Sequence, residues 1–371
     1  MLSRGIRFLL AGSLSACVAS QSASQSKYPP LPVGTLTAGH DMTSARSGQT
    51  ATVLPDLRFL IAGGRGRTGV LATTEIYDPT TEKFTAAARM TVPRAGHIAA
   101  VLEDSKILIA GGQTSGGAAL SSSEDYDFET GEFTRRGNMH ARRMQMAAVV
   151  LRDGRVLVTG GEDGTKPLDS AETYDVLTGK WTLVGKMSAA RASHSATLLS
   201  DGRVLIAGGT GAQRATLASA EIFDPKTNQF TATGSLHEAR SQHTSARLTN
   251  GKVLIAGGAG GPGETNILAS AEIYDPQKGT FTVGGSMNEP RFRLPDSVSL
   301  LDGRVAVVGG AASVEIYDPS PRRQGFQTLK GGLDTVRYYP AVIQLMDGSL
   351  RIFGGSDPKG VSTAKTWSYR P

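Results

Sequence analysis

Few side chains in this 371-residue chain are placed to do chemistry, and they fall into three groups. His97, His194 and His243 each stand three residues after an arginine (Arg94, Arg191 and Arg240), and three imidazoles in one slot are the donor set of a zinc- or copper-type site. Arg65, Arg67 and Arg293, with the adjacent pair Tyr338 and Tyr339, suit recognition instead. Guanidinium forks grip carboxylates, and tyrosine faces pack on sugars or peptide side chains. The single cysteine, Cys17, has no partner for an intrachain disulfide and no cysteine cluster for zinc. A G-x-S-x-G elbow, an H-E-x-x-H helix and a P-loop are all missing.

The elements that must position these groups repeat themselves. With 46 Gly and only 19% charged residues, the composition suits many short strands joined by glycine turns, and 39% apolar content is enough to bury a core. Gly-Gly pairs at 63–64, 111–112, 160–161, 208–209, 257–258, 309–310 and 354–355 recur at a period of about 49 residues, each closing an apolar run such as FLIAGG or VLVTGG. Five runs follow a tight-turn pair, from Asp153-Gly154 to Asp347-Gly348, of the type that supplies positive φ to a two-residue hairpin. The first two units depart, with Pro55-Asp56 and Asp104-Ser105.

After each Gly-Gly comes a loop and then, in six units, an acidic signature: EIYD at 75–78, EDYD at 124–127, ETYD at 172–175, EIFD at 221–224, and EIYD at 272–275 and 315–318. An aromatic follows (Phe84, Phe133, Trp181, Phe230, Phe281, Phe326), and then an apolar residue with arginine four places on, from Met42/Arg46 to Leu333/Arg337. Each unit therefore holds four strands. The recurrent Arg and Glu are expected to form buried pairs, because either one left alone costs several kcal/mol. Lys365 replaces that Glu in the last unit and leaves the partner of Arg337 open.

Four strands, Gly-Gly, Tyr and a terminal aromatic in seven phased copies resemble the kelch repeat from about residue 36 onward. The resemblance implies an all-β, seven-bladed β-propeller. The last unit runs out after one further strand, 364–368, while Leu36-Thr37 stands before Met42 as Phe84 stands before Met90. The N-terminal strand is thus expected to complete the last blade and close the ring, leaving no apolar face wet. A closed ring has no free sheet edge, and a monomer is expected.

Kelch repeats often carry histidine in the slot of His97, His194 and His243. Gln49, Met146, Leu294 and Pro340 occupy the other four copies and spoil a symmetric site, so no metal is expected. Some propellers similar to kelch are copper-radical oxidases of the galactose oxidase type, whose cofactor needs a tyrosine cross-linked to a cysteine. Residues 35–371 contain no cysteine, which excludes that chemistry, and no other cofactor is implied.

Arg4 and Arg7 precede a short apolar stretch, 8–14, in the layout of a secretory signal too short to span a bilayer. Leu14-Ser15-Ala16-Cys17 resembles the lipobox of bacterial lipoproteins, which implies residues 1–16 as signal peptide, a diacylglycerol on Cys17, and 17–34 as a flexible tether. Val18 rather than an aspartate after the cysteine favours the outer membrane by that analogy. Without the signal the formal charge of +6 shrinks to a mild excess with no basic run, so nucleic acid is not an expected partner.

Function should lie where the repeats differ. The loop after Gly-Gly carries Arg65 and Arg67 in blade one and is unusually short in blade six, while Phe292-Arg293 and Tyr338-Tyr339 replace the small residues seen elsewhere. Blades six, seven and one adjoin across the closure, so Arg65, Arg67, Arg293, Tyr338 and Tyr339 are expected to form a patch for an acidic glycan or a protein loop. The expected function is a non-enzymatic ligand- or protein-binding propeller at the cell envelope, lipid-anchored or secreted. The alternative is a carbohydrate-active propeller of the mutarotase or epimerase type, which some kelch proteins are.

Overall fold

An apolar run that alternates with nothing polar must be covered on both faces, and packing sheet against sheet in a circle covers it. The structure, a computed structural model that describes residues 34–295 and 297–370, contains seven four-stranded antiparallel sheets. Blade one is Thr50–Val53, Phe59–Ala62, Thr74–Asp78 and Lys83–Ala87, from hub to rim. Blade two (Ile98–Val101 to Glu132–Arg135) through blade six (Val298–Ser299 to Gly325–Thr328) repeat the order. Every second strand is buried along its whole length, whereas outer strands such as Lys83–Ala87 stay largely accessible. The expected seven-bladed architecture is therefore observed.

The turns of blades one and two depart from the others as expected. In blade one the Leu57 N–H donates to the Leu54 carbonyl at 2.9 Å, which makes Pro55 and Asp56 the central pair, and Leu57 stands where Gly154 donates to Leu151 at 3.1 Å. Leu57 and Ser105 hold φ of 68° and 65° where five other blades use glycine. Proline's fixed negative φ suits Pro55 to the first central position of this turn.

Closure follows the expected scheme. Blade seven is Ala341–Gln344, Leu350–Phe353, Thr366–Tyr369 and, as its outer strand, Leu36–Ala38, with Leu36 opposite Tyr369 and Ala38 opposite Trp367. Buried Arg351 ties this blade to blade one, donating to the Tyr77 hydroxyl at 3.0 Å and to Glu82 at 3.1 Å. Cys17 and the segment before residue 34 lie outside the described residues.

The Arg–Glu pairs form in six blades, from Arg46–Glu75 at 2.7 Å to Arg240–Glu272 at 3.1 Å, with all six arginines fully buried. Burial lowers each guanidinium pKa and the facing carboxylate opposes the fall. Each arginine also binds two carbonyls of its own blade; Arg46 donates to Gly63 and Thr73, both at 2.8 Å. Its own carbonyl accepts the N–H of the second glycine in the preceding blade, from Gly64→Arg94 around to Gly355→Arg46, all at 2.8–2.9 Å. A Cβ on Gly63 or Gly160 would collide with that carbonyl, which is why the pair is glycine.

Blade seven solves its missing glutamate by a charge swap. Arg337 grips Asp334 through both carboxylate oxygens at 2.8 Å, Lys365 reaches the same carboxylate at 2.9 Å, and Arg337 lies 5.8 Å from the centre of the Trp367 ring.

The three histidines do not converge. Their Nε2 atoms meet separate hydroxyls: His97 with Thr50 at 3.1 Å, His194 with Thr159 at 2.8 Å and His243 with Ser195 at 2.9 Å. Gln49 fills the same slot and donates to the Phe353 carbonyl at 2.8 Å. Burial, reinforced by the neighbouring arginine, lowers the pKa of His97 and of His243 to about 3, and that of His194 also falls.

Three outcomes are expected. Deleting residues 36–42 lowers the thermal midpoint by more than about 10 °C, and an unchanged melt would refute the closure. Asp334→Asn costs about 2–4 kcal/mol in urea unfolding because two cations lose their shared partner, and adding Lys365→Glu, which restores the pattern of the other blades, recovers most of it. The histidines stay neutral when folded, whereas the unfolded chain protonates them near the ordinary value of 6.5. Their contribution is therefore complete above that pH and is lost as pH falls below it, for His97 and His243 by about 1.4 kcal/mol per pH unit each until pH nears 3. The triple variant His97→Gln, His194→Gln, His243→Gln flattens the acid limb of the stability profile.

Candidate ligand site at the channel mouth

Two residues beyond each structural arginine the backbone turns through positive φ at the inner end of the blade. The seven residues are Gly48, Gly96, Gln145, Ser193, Gln242, Arg293 and Tyr339, with φ between 51° and 63°. Backbone bonds run from blade to blade around this ring: Gly48 N–H to Tyr339 O at 2.9 Å, Gly96 to Gly48 at 2.8 Å, Ser193 to Gln145 at 2.8 Å, Gln242 to Ser193 at 2.9 Å and Tyr339 to Arg293 at 3.1 Å. The ring encircles the mouth of the central channel on the face of the Gly-Gly loops. Blades one and two contribute no side chain to it; blades three to seven contribute five polar ones.

Those five are linked in part. Ser193 donates to the Gln145 amide oxygen at 2.8 Å and the Tyr339 hydroxyl to that of Gln242 at 2.9 Å. Gln242 in turn donates to Glu264, whose other oxygen accepts Thr210 at 2.7 Å and Ser241 at 2.6 Å. Glu264 is carried in by blade five, whose loop after Gly-Gly is the longest of the seven and forms a small ribbon, Ala259–Gly260 against Asn266–Ile267. Above blades three to five the mouth opens into a cavity of about 750 Å³, walled by Glu162, Lys166, Thr210, Arg214 and Glu264 among others, with Arg293 and Tyr339 at its edge. Tyr339 keeps 39% of its surface accessible through the opening. Desolvation within the mouth, against the pull of Arg293, nonetheless pushes its pKa up to about 12.

Arg293 is the preset group of the site. Its guanidinium carbon lies 5.0 Å from the Phe292 ring centre and 5.2 Å from that of Tyr338, and the two rings meet edge to face at 5.4 Å. Such stacking holds the planar fork in one orientation. No acceptor among the described residues hydrogen-bonds the Arg293 side chain. The low wall of blade six stands beside it, because Ala311–Val314 is too short to fold over the mouth.

The structure thus brings Arg293, Tyr338 and Tyr339 together. Arg65 and Arg67 lie on the same face in the blade-one loop, Arg65 in a backbone bridge with Ser47 and Val70, outside the walls of the cavity. Gln145, Ser193, Gln242 and Glu264 were not singled out from the sequence. For the first three the signal was the second residue after each arginine, which reads Gly, Gly, Gln, Ser, Gln, Arg, Tyr around the ring; Glu264, in a loop that occurs once, had none.

Residues 85–258 match the KLHDC2/KLHL20/DRC7 Kelch-repeats domain and residues 240–288 the Kelch motif. No curated relative matches the sequence. Among solved structures, a fungal alcohol oxidase of the AA5 family in complex with copper superposes with a TM-score of 0.73 over 91% of this chain and 76% of the oxidase, at 18% identity. That likeness is one of fold. The mouth does not fit a copper ion: the three buried imidazoles spend Nε2 on hydroxyls, Glu264 is held by Thr210, Ser241 and Gln242, and among the described residues no three His, Cys, Asp or Glu side chains gather as ligands. Seven phased blades, the Arg–Glu signature in six of them and both family matches make this chain a kelch-repeat β-propeller.

Proposed function

We propose that the chain is a non-enzymatic recognition propeller, held at the bacterial cell envelope by lipid on Cys17, that takes an acidic ligand at the channel mouth. A kelch propeller is a binding scaffold, and the observation that carries the finer reading is the stacked, unbridged guanidinium of Arg293 at the edge of a polar cavity. A carboxylate docks on that fork, and hydroxyl or amide groups of the same ligand meet Gln145, Gln242 and Tyr339. The ligand class is an acidic glycan or an acidic protein loop; Arg65 and Arg67 extend the basic surface toward blade one.

The rival reading, a sugar-active enzyme, needs an acid and a base with available protons. Of the carboxylates that line the cavity, Glu264 is engaged by three donors, and a phenol raised to about 12 is a poor base at neutral pH.

The test is a glycan and acidic-peptide screen followed by titration calorimetry on variants. Arg293→Ala weakens the best ligand by about 10–100-fold, as loss of a charge-assisted pair does, and Tyr339→Ala weakens it less. Full binding by Arg293→Ala would defeat the site, and accelerated anomer exchange by the wild-type protein would favour the enzyme.

A further inference from the structure

The opposite face of the ring carries the hairpin turns between first and second strands, and these turns are not alike. At the position after the buried leucine that opens the turn, blades two to five expose Glu103, Arg152, Ser200 and Thr249. The three blades that adjoin across the closure expose apolar side chains there: Leu301 in blade six at 65%, Met346 in blade seven at 69%, and in blade one Pro55 followed by Leu57 at 51%. The arc is continuous. Leu301 shares a small gap with Gln344, Gly348 and Tyr369 of blade seven, and the inner strands of blades seven and one pack side by side.

The same face receives the chain. Leu36 pairs with Tyr369, and Tyr369 with Leu350 just past the Met346 turn, so residue 34 emerges beside the arc. Residues 18–33 separate that point from Cys17. A coil of that length spans about 20 Å on average and about 55 Å at most.

We propose that the hairpin-turn face of blades six, seven and one rests on the lipid bilayer, with Leu57, Leu301 and Met346 seated among the headgroups and the channel mouth turned away from it. From the proposed function the inference takes only the lipid on Cys17. Tethering supplies the rest: a few exposed side chains bind a bilayer weakly from solution, but a short tether makes the contact intramolecular at millimolar effective concentration. The orientation leaves the Arg293 edge open to ligands arriving from outside.

With Cys17 lipidated the chain has no other thiol, so an introduced cysteine is a unique label. Met346→Cys on the arc and Val361→Cys on the loop face, the latter site 51% exposed, are each coupled to an environment-sensitive dye in the full chain. Both are then reconstituted in vesicles of phosphatidylethanolamine and phosphatidylglycerol. Brominated lipid is expected to quench the dye at 346 about fivefold more strongly than that at 361, and Leu57→Asp with Leu301→Asp removes the difference without changing the melt. Equal or reversed quenching overturns the proposal, as does energy transfer between labelled copies without lipid quenching, which would mark the arc as a self-association surface. Labelled-lipid incorporation into wild type and Cys17→Ser separately tests the anchor. If no lipid is incorporated at Cys17, the tether that this orientation requires is missing, and the proposal is overturned with it.

Discussion

A buried guanidinium must find a carboxylate and enough carbonyls to use its protons, or the fold loses several kcal/mol at that point. Six times in this protein that demand is met by one arrangement. The arginine before each inner strand reaches the glutamate of the third strand and two carbonyls of its own blade, while its own carbonyl takes the glycine N–H of the blade behind it. One residue thus fixes strand order within a sheet and the spacing between sheets. Blade seven shows that the demand concerns charge and not sequence: with a lysine where the glutamate should be, Asp334 supplies the carboxylate from the arginine's own side.

Because this repeated core carries the stability, the ends of the blades are free to diverge. On the loop face the divergence is graded around the ring: glycine in blades one and two, amides and serine in three to five, Arg293 and Tyr339 in six and seven. The long loop of blade five and the short one of blade six make one side of the mouth high and the other low. On the turn face the contrast is apolar against polar, and it falls across the blades where the chain closes.

The copper-binding oxidase whose backbone superposes on this chain illustrates how little a propeller fold commits its hub to one chemistry. Here the imidazoles near the hub are packing residues bonded to hydroxyls, and the groups facing the opening include amides, a phenol, guanidinium groups, a lysine and carboxylates. Such a lining matches a polar ligand by hydrogen bonding.

Whatever recurs was legible in the residues alone. Blade number, strand order and the Arg–Glu partnership rest on a unit that appears seven or six times over, repetition averages out local ambiguity, and the same spacing placed Leu36–Ala38 as the missing strand of the last blade. What occurs once was not legible. The choice of Asp334 by Arg337, the capture of Glu264 by Gln242 and the separation of Arg65 and Arg67 from the cavity depend on distances between side chains far apart in the chain, which only closed packing sets. A repeating sequence determines a ring because every blade meets the same neighbours; the unlike side chains at its rim acquire their partners only when the ring has brought them together.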